Sequence, residues 1–453
     1  MAAPPSPRRR RRAVAVLLAA AGLLPATACG GVGLAGTSDS ITTMGFGAGD
    51  ALATVRVEET QKALGSTDIE INEGAFDEQQ FLSAVAAGEP PDVVRMDRTL
   101  IGGYAARGAV VPLTDCLEDR KVDLGQYREG AIDEASLDGV VYGLPDSYDN
   151  RSLLLNEDVL KANGHEVSDV DTSDWKSLRK LATDLDGHKD GKFTRIGFDP
   201  KIPEFFPLWV RANGGSLISE DGRTAKLDTP EVVEALEYTA GLIEAQGGWG
   251  GFKALRDSFD QFGAENPFVR KQVGAYPMED WYLSVLGDVS PDTGLRAKPF
   301  TDRKGKPLNY VSGYSFVIPK GSPHPEKACR FITEMTSPDT WVAAAKAKAE
   351  DIRADGSPYI GDFTGNEVAD RRIRQEVWKP TGNAAFDDAS RQLYAAQENA
   401  FSVPANAAGT EFRKAWQSAV NSVLSGDASP REALDEGQRR AQSALDRGNT
   451  ERE

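Results

Sequence analysis

Between Ile41 and Met96 the chain alternates strand and helix with almost nothing in between, and that order limits the fold more than any other feature. Ile41-Thr42-Thr43-Met44 reads as a strand, and Gly45-Phe46-Gly47-Ala48-Gly49 turns it into a helical stretch ending at Leu64. Ile69-Glu70-Ile71-Asn72 alternates apolar and polar side chains, the period of a second strand. Residues 78–87 predict a helix stopped by Gly88 and Pro90-Pro91, after which Val93-Val94-Arg95-Met96 opens a third strand. Strands joined through crossover helices pair in parallel and have helices on their faces, so the expected fold class is α/β.

The rest of the chain keeps this mixed character. Thr229-Pro230 gives a helix start, followed by Val232, Ala235, Leu236, Thr239, Leu242 and Ile243 at helical spacing, with Gly247-Gly248 as the stop. Tyr310 to Pro319 reads as strand, Pro325 opens a helix containing Cys329, and Ser337-Pro338-Asp339 opens another. From Ala384 to Leu445 the pattern is mostly helical, and residues 446–453 are expected to fray. There is no internal repeat and no low-complexity linker, so two domains would have to be joined by a chain that crosses between them more than once.

The first thirty residues predict export. Arg8 to Arg12 precede an uncharged apolar stretch from Ala13 to Leu24, too short to span a bilayer but suited to the core of a signal peptide. Ala26-Thr27-Ala28-Cys29 follows and resembles a bacterial lipobox, with Ala26 where leucine is usual. Ala26-x-Ala28 also suits ordinary signal peptidase, and the arginine run loosely resembles a twin-arginine signal. Lipidation of Cys29 is the reading taken, because a leftover free thiol is otherwise hard to explain in an oxidising compartment. On this reading residues 1–28 are the signal peptide, 29–39 a lipidated flexible tether, and the site of action the extracytoplasmic face of the bacterial cell membrane.

Removal of residues 1–28 takes away five arginines and no acids, leaving 69 acidic and 47 basic residues and a formal charge of −22. So acidic a chain is unsuited to nucleic acid or to an anionic membrane surface, and the lipid is the one membrane contact expected. Two cysteines remain, Cys116 and Cys329. Two buried free thiols is the plainer reading, and one disulfide is the alternative that the compartment permits.

A series of blocks then resembles one family. Phe81 to Val94 (FLSAVAAGEPPDVV) resembles the helix-Gly-x-x-Pro-Asp block of bacterial extracellular solute-binding proteins, the maltose-binding-protein-like receptors of ABC sugar importers. Gly108-Ala109-Val110-Val111-Pro112-Leu113, Asp138 to Pro145 and Asp174-Trp175 continue the likeness. So do Gly214-Gly215, Gly274-Ala275-Tyr276-Pro277-Met278 before Trp281, and Gly313-Tyr314. Leu154-Leu155 stands where the family usually has an aromatic pair. The resemblance spans roughly residues 40–440 and implies a periplasmic-binding-protein-like clamp of two lobes. Each lobe would be a mainly parallel sheet flanked by helices, with hinge crossovers and a helical C-terminal part. Lobe 1 would comprise residues 40–147 and 307–345, and lobe 2 residues 148–306 and 346–445.

The function so implied is delivery of a mono- or oligosaccharide to an ABC permease by a monomeric receptor without cofactor or metal. A receptor for a non-sugar solute is the alternative, and a surface glycan-active enzyme the more distant one. Sugars are held by aromatic rings against their C–H faces and by carboxylate, amide or guanidinium groups at their hydroxyls. The expected ligand-binding residues are Phe46, Asp97, Arg98, Tyr148, Asp149, Asn150, Phe205, Phe206, Asp280, Trp281, Gly313 and Tyr314. For Asp97 the competing reading is a helix cap, and for Phe205 and Phe206 it is the core. Catalytic motifs are missing. His165, His188 and His324 lack metal-ligand spacing, the 186–191 segment fails as a calcium loop, and no Gly-x-Ser-x-Gly occurs.

Overall fold

Strand Ser40–Met44 pairs in parallel with Asp68–Asn72 on one side and Val93–Asp97 on the other, as the βαβαβ reading requires. The intervening helices are Ala51–Leu64 and Glu78–Ala87, capped by the carboxylates of Asp50 and Asp77. The computed structural model describes residues 40–450, so the expected signal peptide, tether and Cys29 lie outside the described residues.

Two further strands complete this first sheet, Tyr314–Val317 and Gly143–Pro145, both antiparallel to their neighbours. Tyr314–Val317 lies between Val93–Asp97 and Gly143–Pro145 and runs opposite to both. Alternation along each strand builds a core on both faces. Val93 and Phe316 join Ile41, Leu144 and Phe331 on one side. Val94 and Val317 join Met44, Phe81 and Tyr104 on the other. Helices Thr114–Asp119 and Pro325–Met335 cover the first of these faces, and there Cys116 and Cys329 are joined as a disulfide with Cα atoms 5.7 Å apart. The expected pair of free thiols gives way to the bridge because both cysteines face the same cluster.

The second sheet contains, in order, Leu295–Lys298, Arg151–Asn156, Val273–Glu279, Lys192–Phe198 and Gly187–Lys189. Only the pairing of Val273–Glu279 with Lys192–Phe198 is parallel, so this sheet is mixed rather than mainly parallel. Its core takes in Leu154, Phe198, Trp209, Leu236 and Tyr282, together with Phe412 and Trp416 of the C-terminal helices. Trp175 stacks on Tyr238 within it, ring centroids 4.2 Å apart.

Segments 146–150 and 311–313 run side by side between the two sheets. Asp149 N–H donates to Ser312 C=O at 2.9 Å, and Tyr148 N–H to Phe363 C=O at 3.2 Å. The return crossing was expected at 306. Strand Pro307–Tyr310 instead pairs with Phe300–Thr301 and Ala400–Phe401, and the chain rejoins the first sheet at Tyr314. The last helix, Pro430–Thr450, continues through the segment expected to fray, since Gly448 is buried where a Cβ would lie 2.5 Å from Ala407 O.

Candidate ligand-binding site

A cavity of about 570 Å³ opens where the parallel strands of the first sheet end, at the turn after Met44 and at Asp97. Open α/β sheets place ligands at this position, beyond the carboxyl ends of their strands. Phe46 lines it from the glycine turn, Arg95 and Asp97 from the third strand, Asp146 from the crossing segment, Tyr314 from the returning strand, and Trp341 from helix Pro338–Ala354.

A buried carboxylate organises this wall. Asp146 accepts hydrogen bonds from Arg56 and from Arg95. Burial alone would raise its pKa, but the two guanidinium groups outweigh that effect and hold it below the usual carboxylate value. Each arginine also lies over an aromatic ring, Arg56 at 3.6 Å from the Trp341 centroid and Arg95 at 4.0 Å from that of Tyr314. Trp341 is buried beneath its arginine, whereas Tyr314 remains 38% exposed and offers ring surface to the cavity.

Asp97 caps a helix and also lines the cavity. Its Oδ1 caps helix Arg98–Ala106 by accepting Thr99 N–H at 2.9 Å and the Thr99 hydroxyl at 2.6 Å. Its Oδ2 meets Arg413 at 2.8 Å, and the side chain still lines the cavity.

The crossing segment and the strand end beside it each supply a further carboxyl group. Asp280, at the end of strand Val273–Glu279, is buried, and its pKa is pushed up to about 7, first by burial and then by the Asp149 charge. Burial likewise raises the pKa of Asp149. Asp149 is half-buried, and its carboxylate has no hydrogen bond among the described residues. Trp281 opens the helix that leaves this strand end. It is 40% exposed and stacks on Phe262, itself 64% exposed, with centroids 5.9 Å apart and planes 16° from parallel.

Seven of the expected residues are spent on structure. Arg98 is wholly buried, paired with Glu134 at 2.9 Å and donating to the carbonyls of Ser147 and Tyr314. Tyr148 is buried between the guanidinium groups of Arg98 and Arg128. Asn150 and Asp280 bind each other, and Asn150 also accepts from Asn309 at 2.8 Å. Phe205 and Phe206 are both in the second-lobe core, Phe205 beneath Arg151 and Phe206 against Trp416. Gly313 has φ 154°, and a Cβ there would lie 2.3 Å from Ser147 O, so its role is close approach of two backbones.

Arg56, Arg95 and Asp146 escaped the sequence reading. Arg56 lies among apolar helix positions and Arg95 interrupts an apolar strand, and a charged residue at an inward position was the available signal.

Two α/β lobes with paired crossing segments, and a cavity at the strand ends of the first, define a solute-binding clamp. The bacterial extracellular solute-binding protein family model matches residues 56–350, and the chain belongs to that family, whose members act outside the cytoplasmic membrane. The maltodextrin-binding protein MdxE of Bacillus subtilis (strain 168) is 23% identical over 380 residues, covering 76% of this chain and 86% of that protein. The arabinooligosaccharide-binding protein of the same organism is 23% identical over 294 residues, 61% of this chain and 64% of that protein. Among solved structures, CpMnBP1 with mannotriose bound superposes with a TM-score of 0.72 at 24% identity, covering 89% of this chain and 99% of that one. Among the described residues no helix is long and apolar enough to cross a membrane.

Proposed function

We propose that this protein is the receptor of an ABC importer that binds a mono- or oligosaccharide between its lobes and delivers it to a membrane permease. The observation that carries this reading is Tyr314, an aromatic ring with open surface in a cavity lined by Asp97, with the unspent carboxylate of Asp149 nearby on the crossing segment. Ring faces match the C–H faces of a pyranose, and carboxylates accept from its hydroxyls. Trp281 is the corresponding surface offered by the second lobe, and Phe46 contributes apolar wall. The names of similar proteins, which bind maltodextrin and arabinooligosaccharides, support the same ligand class. The receptor acts by binding without turnover, as a monomer held at the membrane through lipid on Cys29.

A thermal-shift screen over oligosaccharides, amino acids and polyamines tests the ligand class. A ligand present at a hundred times its Kd stabilises the native state by about 2.7 kcal/mol. Stabilisation by sugars alone is the expected result. A shift with amino acids or polyamines and none with sugars refutes the sugar reading, and release of a shorter glycan during incubation identifies an enzyme instead. Cys29→Ala should move the protein from the membrane fraction to the medium, and retention of this variant at the membrane overturns the lipid anchor.

A further inference from the structure

Arg413 belongs to helix Thr410–Leu424, beyond the residues 56–350 matched by the family model and outside every block that carried the resemblance. Its helix packs into the second-lobe core through Phe412, Ala415 and Trp416, yet its side chain ends on Asp97 of the first sheet. Close backbone approach makes this possible. A Cβ on Gly102 would lie 2.4 Å from Asn406 O, and one on Gly103 would lie 3.3 Å from Gly409. Segment 406–409 therefore seats directly on helix Arg98–Ala106. Asn406 Oδ1 fixes the turn by accepting Gly409 N–H at 2.8 Å, and Arg413 follows one helical turn later.

The hydrogen bonds leave a specific set of groups unspent. Asp97 Oδ1 takes both Thr99 donors, and Oδ2 takes only Arg413 Nη1, which leaves Oδ2 an acceptor site. Arg413 Nη1 also meets Thr99 Oγ1 at 3.1 Å, while its Nη2 and Nε have no hydrogen bond among the described residues. Both side chains are about one-third exposed, at 32% and 33%, and Asp97 lines the cavity. A fixed acceptor beside a fixed donor fork matches a pair of neighbouring hydroxyl groups, one donating to the carboxylate and the other accepting from the guanidinium.

We propose that Arg413 is a ligand-binding residue which, with Asp97, grips a vicinal diol of the sugar. This rests on the sugar reading above. Titration calorimetry of the mature protein with maltotriose, mannotriose and arabinotriose tests it, using Arg413→Met, which keeps the apolar stem, and Arg413→Lys, which keeps a cation beside Asp97. Losing hydrogen bonds from a charged donor should weaken binding of whichever trisaccharide binds by about tenfold to a hundredfold in Arg413→Met. Arg413→Lys should stay impaired because it lacks the fork. Melting of the free protein should hardly change, since a partly exposed ion pair contributes little to stability. Unchanged affinity in Arg413→Met overturns the assignment, and full affinity in Arg413→Lys reduces Arg413 to holding Asp97 in place, which overturns it equally. If the unaltered protein binds no sugar of the wider screen, the sugar reading itself has failed, whatever the variants do.

Discussion

Asp280 and Asn150 are locked together where the lobes meet, the Asp280 carboxylate accepting both the main-chain and the side-chain N–H of Asn150 at 2.9 Å. Asn150 begins the run into one strand of the second sheet and Asp280 ends another, so the pair fixes the crossing segment to that sheet. With its pKa pushed up to about 7 by burial and by Asp149, Asp280 carries a pH dependence. The folded state holds a proton that the unfolded chain, at the ordinary value of 3.8, releases. Stability from this group is therefore lost as pH rises from about 4 to 7 and is level above that range. Melting curves of the protein and of Asp280→Asn should show the native protein's advantage shrinking across that window. A difference that stays constant with pH contradicts the assignment.

Trp281→Ala should weaken sugar binding at least tenfold, about 1.4 kcal/mol, through loss of the stacking surface. Tyr314→Ala should do the same from the first lobe. Calorimetry with the sugar identified by the screen measures both, and affinity unchanged in Trp281→Ala removes it from the site.

Phe206→Ala separates core from cleft. Its ring is fully buried against Trp416, so truncation should cost about 3–5 kcal/mol of folding free energy. The folded fraction should keep its affinity. Loss of affinity with little loss of stability would return Phe206 to the ligand.

The strand-helix alternation of residues 41–96 was legible because each element announces itself by its own period and its own stop signals. Leu154-Leu155 and Val93-Val94 are buried, so both faces of their strands are covered. Strand direction in the second sheet was not legible, since pairing sense depends on where the chain re-enters after crossing. The site was legible in part. Tyr314 and Asp97 line the cavity, and Trp281 is exposed outside the cavity lining. Arg98 failed because a buried partner, Glu134, lies 36 residues away and only the fold brings it near. Asn150 and Gly313 failed in a related way: at a crossing the backbone itself needs partners, and small or amide-bearing residues there serve the chain before any ligand.

Gly313→Ala should be disproportionately harmful for so small a change. The added methyl meets Ser147 O at 2.3 Å and the Arg98 guanidinium at 2.6 Å, and φ 154° is unfavourable for an alanine. A cost of about 1–3 kcal/mol is expected from the backbone conformation alone. Relief requires segments 146–150 and 311–313 to separate, so sugar affinity should fall along with the melting temperature. A variant that loses stability but binds normally would show that the two crossings can part without disturbing the cleft.

The Cys116–Cys329 bond closes a loop of 213 residues that includes the whole of the second sheet. Cross-links over long loops restrict the unfolded chain most, and loss of a native bridge typically costs about 2–4 kcal/mol. Both cysteines lie in the first lobe, far along the chain from Trp281 and Arg413. The double variant Cys116→Ala/Cys329→Ala should therefore melt lower than the native protein by that margin while keeping its sugar affinity. Reductant should lower the melting temperature of the native protein and leave that of the double variant unchanged. If reductant shifts neither, the two thiols are free in solution and the plainer reading of the sequence was right.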